Sequence, residues 1–538
     1  MVDTNLMIGA TAVYAAVMIF LGYIGWKKTK SGNDFLLAGQ DVSPWIIGLS
    51  YGATFISTSA IVGFGGFAGN YGMGIIWLAA LNIAVGLLGA FVLFGKRVRR
   101  MTKSLKAQTF PELLGAAYRS KFIRWFMAVV ILIGMPLYTW AVMISGSLLI
   151  ATTLGTTVNT ALIVLTLITA LYVITGGLRA VMYTDALQGA LMIFGMLVIF
   201  IITIGLIGGI ESGTQDLTNM ASLHPTTGSY SGMTGWTSMP EMFSDNWIIL
   251  VGTIIIPVGI GVLAQPQLAV RFMTAKDSKT LNRAVPFGGV FLLMTVGFAY
   301  IIGAWSNVYF YNSVDFKMTS ILAAGTQNNI IPFFVETAMP DWVVVLFTLT
   351  LVAAAMSTLS SLYHVMGTSA GYDIWTELKK TRLLPGKWRG EDGQKRSLNI
   401  TRIATMGFIF VSFLLAWYMP RSGGFIPIAT TMFFGICASA FLPLYVHMMY
   451  SKNPSKKAAE ASLIVGTVVW LFTALFCCKT DGSVLGICNT VFGKDTLLTG
   501  TMAVLDPILY ALPLSAITLI VVWFYDKRHK TVDAEKAV

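Results

Sequence analysis

Residues 48–59 read Gly48-Leu49-Ser50-Tyr51-Gly52-Ala53-Thr54-Phe55-Ile56-Ser57-Thr58-Ser59, and Gly63, Gly65, Gly66 and Gly69 follow. The surrounding apolar stretch is long enough to cross a hydrocarbon core about 30 Å thick, yet its centre is glycine and hydroxyl side chains. Two readings are open. Small residues let membrane helices approach closely. They also weaken the helical ladder, and carbonyls and N–H groups freed at mid-membrane must then find other partners. A second stretch has the same character: Gly252-Thr253-Ile254-Ile255-Ile256-Pro257-Val258-Gly259-Ile260-Gly261, running on to Gln265-Pro266. Its prolines lack the N–H that a helix would use.

Working outward, apolar runs of similar length recur through all 538 residues. The chain is 56% apolar and only 11% charged, with a mean hydropathy of +0.74. Soluble domains carry about 25% charged residues, so a solvated globular enzyme is excluded. An outer-membrane barrel is excluded as well, because it needs short alternating segments. Thirteen spans are predicted, at about 6–26, 43–69, 72–95, 123–151, 156–176, 182–208, 246–270, 284–307, 341–367, 401–420, 424–450, 459–477 and 503–525. The fold class is an all-α polytopic membrane protein. The two glycine-rich spans, the second and the seventh, each open a five-helix unit, and the units enter the membrane from opposite sides. That is the pattern of an inverted-repeat secondary transporter with its site at the midplane.

Thirteen spans also sort the basic residues. All 36 lysines and arginines fall on one side except Lys317, Arg421, Lys479 and Lys494. By the positive-inside rule the N-terminus is outside, the C-terminus is cytoplasmic, and the expected location is the cell membrane. The net charge of +12 is thus spread over loops, which argues against nucleic acid as a partner. The first apolar stretch lacks a basic n-region and a small-residue cleavage site, so it reads as a retained helix. The expected organisation is a peripheral first helix and loop (1–42), a first repeat (43–210) and an outer loop (211–245). A second repeat (246–450) and peripheral C-terminal helices with a tail (451–538) complete it. The outer loop reads as a short covering helix or an irregular cover. The charged stretch 371–400 reads as a solvated linker. No obligate protein partner is evident, and membrane lipid is the expected surrounding.

Span 9 carries Ala353-Ala354-Ala355-Met356-Ser357-Thr358-Leu359-Ser360-Ser361. At about 100° per residue, Ala354, Ser357, Thr358, Ser361 and His364 share one face. Hydroxyls on a small-residue stripe suit a partly dehydrated cation, with span 2 supplying carbonyls where it unwinds. Serine and threonine in membrane helices also bond back to the i−4 carbonyl, so the residues alone leave both roles open.

Taken together, several stretches resemble the sodium/solute symporters, the family of proline, pantothenate, monocarboxylate, sialic acid and sugar carriers. They are Asp34-Phe35-Leu36-Leu37-Ala38-Gly39, Leu49 through Ser57, Tyr172-Val173-Ile174-Thr175-Gly176-Gly177-Leu178-Arg179-Ala180, Tyr183-Thr184-Asp185-Ala186-Leu187-Gln188, and Ala354 through Ser360. Thr109-Phe110-Pro111-Glu112 and Gln265-Pro266-Gln267 with Arg271-Phe272-Met273 add to it. The likeness runs from about residue 30 to 450. It implies a five-plus-five inverted-repeat (LeuT-type) core with alternating access and sodium (Na+) as the coupling ion. It also implies a main sodium site at Ala53, Ile56, Ala354, Ser357 and Thr358. A second sodium at Asp185 is implied by some members, although Ala354 lacks the additional hydroxyl those members carry. The alternative for Asp185 is a structural acid paired with Arg179.

The substrate expectation rests on Phe55, Ser57, Thr58, Asn82 and Gln265. Proline carriers of the family have an acid where Phe55 stands, and sugar carriers line spans 3 and 7 with polar groups. Here span 7 offers Thr253, and the outer half of span 3 offers Trp77 and Asn82. Each sugar hydroxyl buried without a partner would cost about 1–3 kcal/mol, so the site is too apolar for a sugar. The mid-membrane parts of spans 2, 3 and 7 carry no charged side chain, and half-helix N-termini favour anions. A small organic anion, a monocarboxylate or a pantothenate-like acid, is therefore expected. A proline-like amino acid is the alternative, and a solute sensor on the same scaffold is a more distant one. An enzyme has the least support, because the spans hold no nucleophile constellation, paired acids or metal-ligand set. His364 either lines an inward path or is a packed core residue, and a disulfide from Cys488 to Cys478 or Cys477 is left open.

Overall fold

The computed structural model describes residues 4–380, 394–419 and 425–536. Among them the backbone is helical, with one isolated bridge between Val42 and Ala275. Eleven helices are long and apolar enough to cross a membrane, and the bent pair Pro44–Phe55 and Ser59–Tyr71 makes a twelfth crossing. One of the eleven, Val158–Leu206, has 49 residues, roughly 74 Å at 1.5 Å per residue. That is over twice a hydrocarbon core, and its backbone is broken at Gly177, where φ is 56° and ψ is −151°. It therefore supplies spans 5 and 6, which brings the crossings to the thirteen expected.

Local chemistry sets the ends. The Ser120, Thr157 and Ser455 hydroxyls accept from Ile123, Thr160 and Ala458 N–H groups at helix starts, satisfying donors that have no partner within the helix. Span 9 (Asp341–Leu378) and span 11 (Ile428–Tyr450) are the most enclosed, whereas spans 1, 10 and 13 expose most of their surface. Span 2 does break, but not at a glycine. The break falls at Ile56-Ser57, with a bend of 58°. The later glycines pack: a Cβ on Gly66 would meet the Gln327 carbonyl, and one on Gly65 the Ile331 side chain at 2.3 Å.

Span 7 departs from expectation. From Asp245 to Ala264 it stays helical through Gly252 and Pro257, with wide turns at Ile248–Ile255. Its interruption comes only at Gln265, which is extended (φ −71°, ψ 126°) before the helix Pro266–Met273. Proline at the start of a helical segment loses no bond it would otherwise make, and Pro266 sits there, whereas Pro257 lies within the continuous helix just after the wide turns. The stretch 371–400 departs as well. Span 9 continues as helix to Leu378, so the part up to there is no linker, and residues 381–393 lie outside the described residues, as does Arg421. Asp373 and Glu377 on this extension meet Arg124 at 2.9 and 3.6 Å, Glu112 meets the same guanidinium at 3.2 Å, and Thr109 donates to Asp373 at 2.7 Å. These contacts tie the basic end of span 9 to span 4. At the opposite end the loop 209–245 forms the helix Ile210–Asn219 and then an irregular cover, whose Trp236 donates to the Gly69 carbonyl at 3.1 Å.

Gly177 gives a direct test of this architecture. Its backbone lies where L side chains are strained by about 1–3 kcal/mol, and a Cβ would stand 2.5 Å from the Phe35 ring. Gly177→Ala is expected to lower the thermal stability of the purified protein. A melting curve that matches the wild type would mean that spans 5 and 6 are not separated there.

Candidate functional site

At the break of span 2 the first half-helix ends in carbonyls without partners of their own in the helix, and span 9 faces them. Ser357 Oγ lies 2.8 Å from the Ala53 carbonyl and 3.2 Å from that of Ala354. Thr358 Oγ1 lies 3.4 Å from the Thr54 carbonyl. Ile56 closes the half-helix with an extended backbone (φ −90°, ψ 108°), and all these side chains are buried. The structure therefore gathers the carbonyls of Ala53 and Ala354 and the hydroxyl of Ser357, with Thr358 and Ile56 alongside. These are hard, neutral oxygens on two crossing elements, the donor set that suits a monovalent cation stripped of water.

One turn further along span 9 is a buried ion pair. Asp185 accepts from Ser50 at 2.8 Å, Thr54 at 3.1 Å, Ser360 at 3.2 Å and the Arg271 guanidinium at 2.9 Å. Arg271 also donates to Thr54 at 2.8 Å, to the Gln267 carbonyl at 2.8 Å and to Ser361. Both side chains are fully buried. The expected partner Arg179 is elsewhere: it donates to Asp34 at 3.0 Å, Asp41 at 3.1 Å and the Ala38 carbonyl at 2.8 Å. Asp185 and Arg179 both follow the Gly177 break on one helix, and at about 100° per residue their positions fall on different faces of it. Arg271 joins spans 2, 6, 7 and 9 in one network.

On the other side of the break the second half-helix begins with hydroxyls. Ser57 and Ser59 share a hydrogen bond of 2.8 Å, Ser59 lies 3.3 Å from Thr430, and Tyr138 is a hydrogen-bond neighbour of Ser57. Phe55 faces Phe434 at 6.0 Å between centroids, and Tyr138 stacks on Phe433 at 5.5 Å. Val262 of span 7 and Phe55 meet at Gly86. The result is a cluster of hydroxyls packed beside apolar and aromatic side chains. Thr58 is turned away and donates to the Leu351 carbonyl at 3.2 Å. Asn82 and Gln265 are buried, each with one amide atom lacking a partner. Gln265 accepts from Gln267 at 2.7 Å, and neither residue hydrogen-bonds the Phe55–Ser57 group among the described residues. Trp77 is 63% exposed and faces outward.

The basic end is shut. Leu36, Thr109, Pro266, Val270 and His364 surround a void of about 10 Å³, no larger than the space one water needs. The His364 ring packs against Phe35 at 5.6 Å, so the histidine belongs to this plug. All four cysteines are free thiols, with Cys478 bonded to Thr480 at 3.0 Å. Sequence reasoning overlooked Ser50, Thr54, Ser360, Tyr138, Thr430, Phe434 and Arg271 as site residues. Ser50, Thr54 and Ser360 stood inside the quoted motifs, and Arg271 in the stretch after Gln265. Tyr138, Thr430 and Phe434 carry no local signal.

The chain is similar over most of its length to sodium-coupled carriers. A sodium/pantothenate symporter of Haemophilus influenzae is 24% identical over 497 residues, covering 92% of this chain and 95% of that protein. The sodium/proline symporter of Escherichia coli is 25% identical over 478 residues, covering 86% and 87%. A substrate-bound, outward-open Na+-coupled sialic acid symporter superposes with a TM-score of 0.72 over 96% of both chains at 20% identity, a likeness of fold, and that fold is the LeuT-type one. The profile of the Sodium:solute symporter family matches residues 35–466, and the chain belongs to that family as a sodium-coupled symporter in a membrane it crosses many times.

Proposed function

We propose that the chain imports a small organic anion, a monocarboxylate or a pantothenate-like acid, together with sodium by alternating access. The basic end would face the cytoplasm and the N-terminus the outside. The observation that carries this reading is the double use of the span 2 break. Its carbonyl end meets Ser357, and its N–H end, at Ser57 to Ser59, lies beside Thr430 and the rings of Phe55, Tyr138 and Phe434. Sodium would sit on the carbonyls of Ala53, Ile56 and Ala354 and the hydroxyls of Ser357 and Thr358. The carboxylate would lie toward Ser57, Ser59 and Thr430, where the positive end of the half-helix favours it, with its apolar part between Phe55, Tyr138 and Phe434. A bound sodium leaves one positive charge among neutral oxygens, and an anion nearby offsets it in a region of low dielectric. Asn82 and Gln265 would border the path through their unpaired amide atoms.

Asp185 is assigned a dual role in the same proposal. In the state described here Arg271 neutralises it, and a second sodium would bind there only by displacing the guanidinium.

The test compares sodium-driven uptake of a short monocarboxylate with uptake of its amide. Uptake of the acid alone is expected. Equal uptake of the neutral amide, or uptake of sugars only, removes the anion reading. A sodium-dependent thermal-shift screen identifies the ligand, because a solute at 100 times its dissociation constant adds about 2.7 kcal/mol of apparent stability.

A further inference from the structure

Away from the transport path, a groove of about 1170 Å³ runs between the last turns of span 11 and the final helix, span 13 (Ile508–Arg528). Its walls are apolar, including Leu442, Val446, Leu512, Leu519 and Trp523. Its mouth is not. Lys452 and Lys527 stand at the basic end of the groove, with Lys527 over the Trp523 ring at 5.9 Å. Arg97 stacks on Tyr450 of the same mouth at 4.1 Å. The acid at this end, Asp526, is buried and accepts from Ser455 at 2.8 Å, and Ser455 in turn donates its N–H to His447 at 3.1 Å. The carboxylate is thus turned into the protein while both lysines remain exposed. Val446, Tyr450 and Ile520, which line the groove, are themselves exposed, so the groove opens sideways onto hydrocarbon.

We infer that this groove is a binding site for an anionic phospholipid. One acyl chain lies along Leu442, Val446, Leu512 and Leu519, and the headgroup phosphate is held by Lys452 and Lys527. Apolar walls beneath a cationic mouth match a molecule with an apolar tail and a negative head, and basic pockets between helices on the cytoplasmic side recognise such headgroups. A zwitterionic lipid fills the walls equally well and gains less at the mouth. The leaflet follows from the orientation proposed above, whereas the site itself depends only on the groove.

The experiment uses the full chain in nanodiscs of mixed phosphatidylcholine and phosphatidylglycerol, with native mass spectrometry of the released protein. Retained phosphatidylglycerol in preference to phosphatidylcholine is expected, and K452Q with K527Q should lower that preference by about fivefold per lysine. Ala516→Trp, which puts an indole on the groove wall, should weaken retention of either lipid and leave sodium-driven uptake intact. Equal retention of both lipids by the wild type, or a preference untouched by the lysine changes and by A516W, would overturn the site. So would a second copy of the chain that dissociates with A516W. Lys452→Cys in a cysteine-free background tests the leaflet separately. Labelling by an impermeant reagent from outside the cell would reverse the leaflet without touching the lipid result.

Discussion

Ser357→Ala and Thr358→Ala are each expected to raise the sodium concentration needed for half-maximal uptake by about 5- to 150-fold. Each change removes one of about five oxygens around a cation that has given up its water. A polar partner lost from a buried site is worth about 1–3 kcal/mol, and that range converts to the stated factor. Ser357 should show the larger effect, because its hydroxyl lies nearest the span 2 carbonyls, 2.8 Å from Ala53 against 3.4 Å between Thr358 and Thr54. Both side chains are small, so folding should survive. Sodium and lithium should remain the effective cations. Uptake measured against sodium concentration decides the matter, and unchanged sodium dependence in both variants would sink the assignment.

Arg271→Gln is expected to be the most damaging single change at the basic end. It leaves Asp185 charged and fully buried, and breaking a buried pair from one side costs about 3–5 kcal/mol. The same guanidinium holds Thr54, Ser361 and the Gln267 carbonyl, so the plug beside His364 loses its tie to span 2. The variant should unfold earlier in a thermal ramp and should leak or lose coupled transport. Asp185→Asn added to it removes the orphaned charge, and the double variant should recover part of the lost stability. Stability in the single variant equal to the wild type would show that the pair is not what closes this end. A double variant no better than the single would show that the loss is not electrostatic.

Much of this was legible in the chain itself. Long apolar runs cannot be hidden in a membrane protein, because the bilayer leaves the backbone few other solutions, and so the thirteen spans and their basic ends could be read directly. The glycine and hydroxyl content of span 2 marked it as a span that gives way, and the family resemblance implied free carbonyls at Ala53 and Ile56, beside the break. The face of span 9 bearing Ser357, Thr358 and Ser361 followed from helical period. Span 7 was less legible. Glycine and proline there signal weakness in the ladder, but whether a weak point breaks depends on the neighbours that pack against it. Gly259 lies against Leu81 and Gly261 against Phe434, and the helix holds until Gln265.

What the sequence by itself determined is therefore local: which segments cross, which of them give way, and which hydroxyls share a face. Only the tertiary structure decided who meets whom. Asp185 pairs with Arg271, 86 residues away, rather than with Arg179 in the same stretch. Tyr138, Thr430 and Phe434 join Phe55 and Ser57 from spans 4 and 11, while Thr58, adjacent to Ser57 in the chain, turns to Leu351. The physical reason is range. Hydropathy and helical period act over a few turns of one helix, whereas a buried charge or an aromatic wall takes its partners from whichever spans the packing of the whole bundle brings alongside.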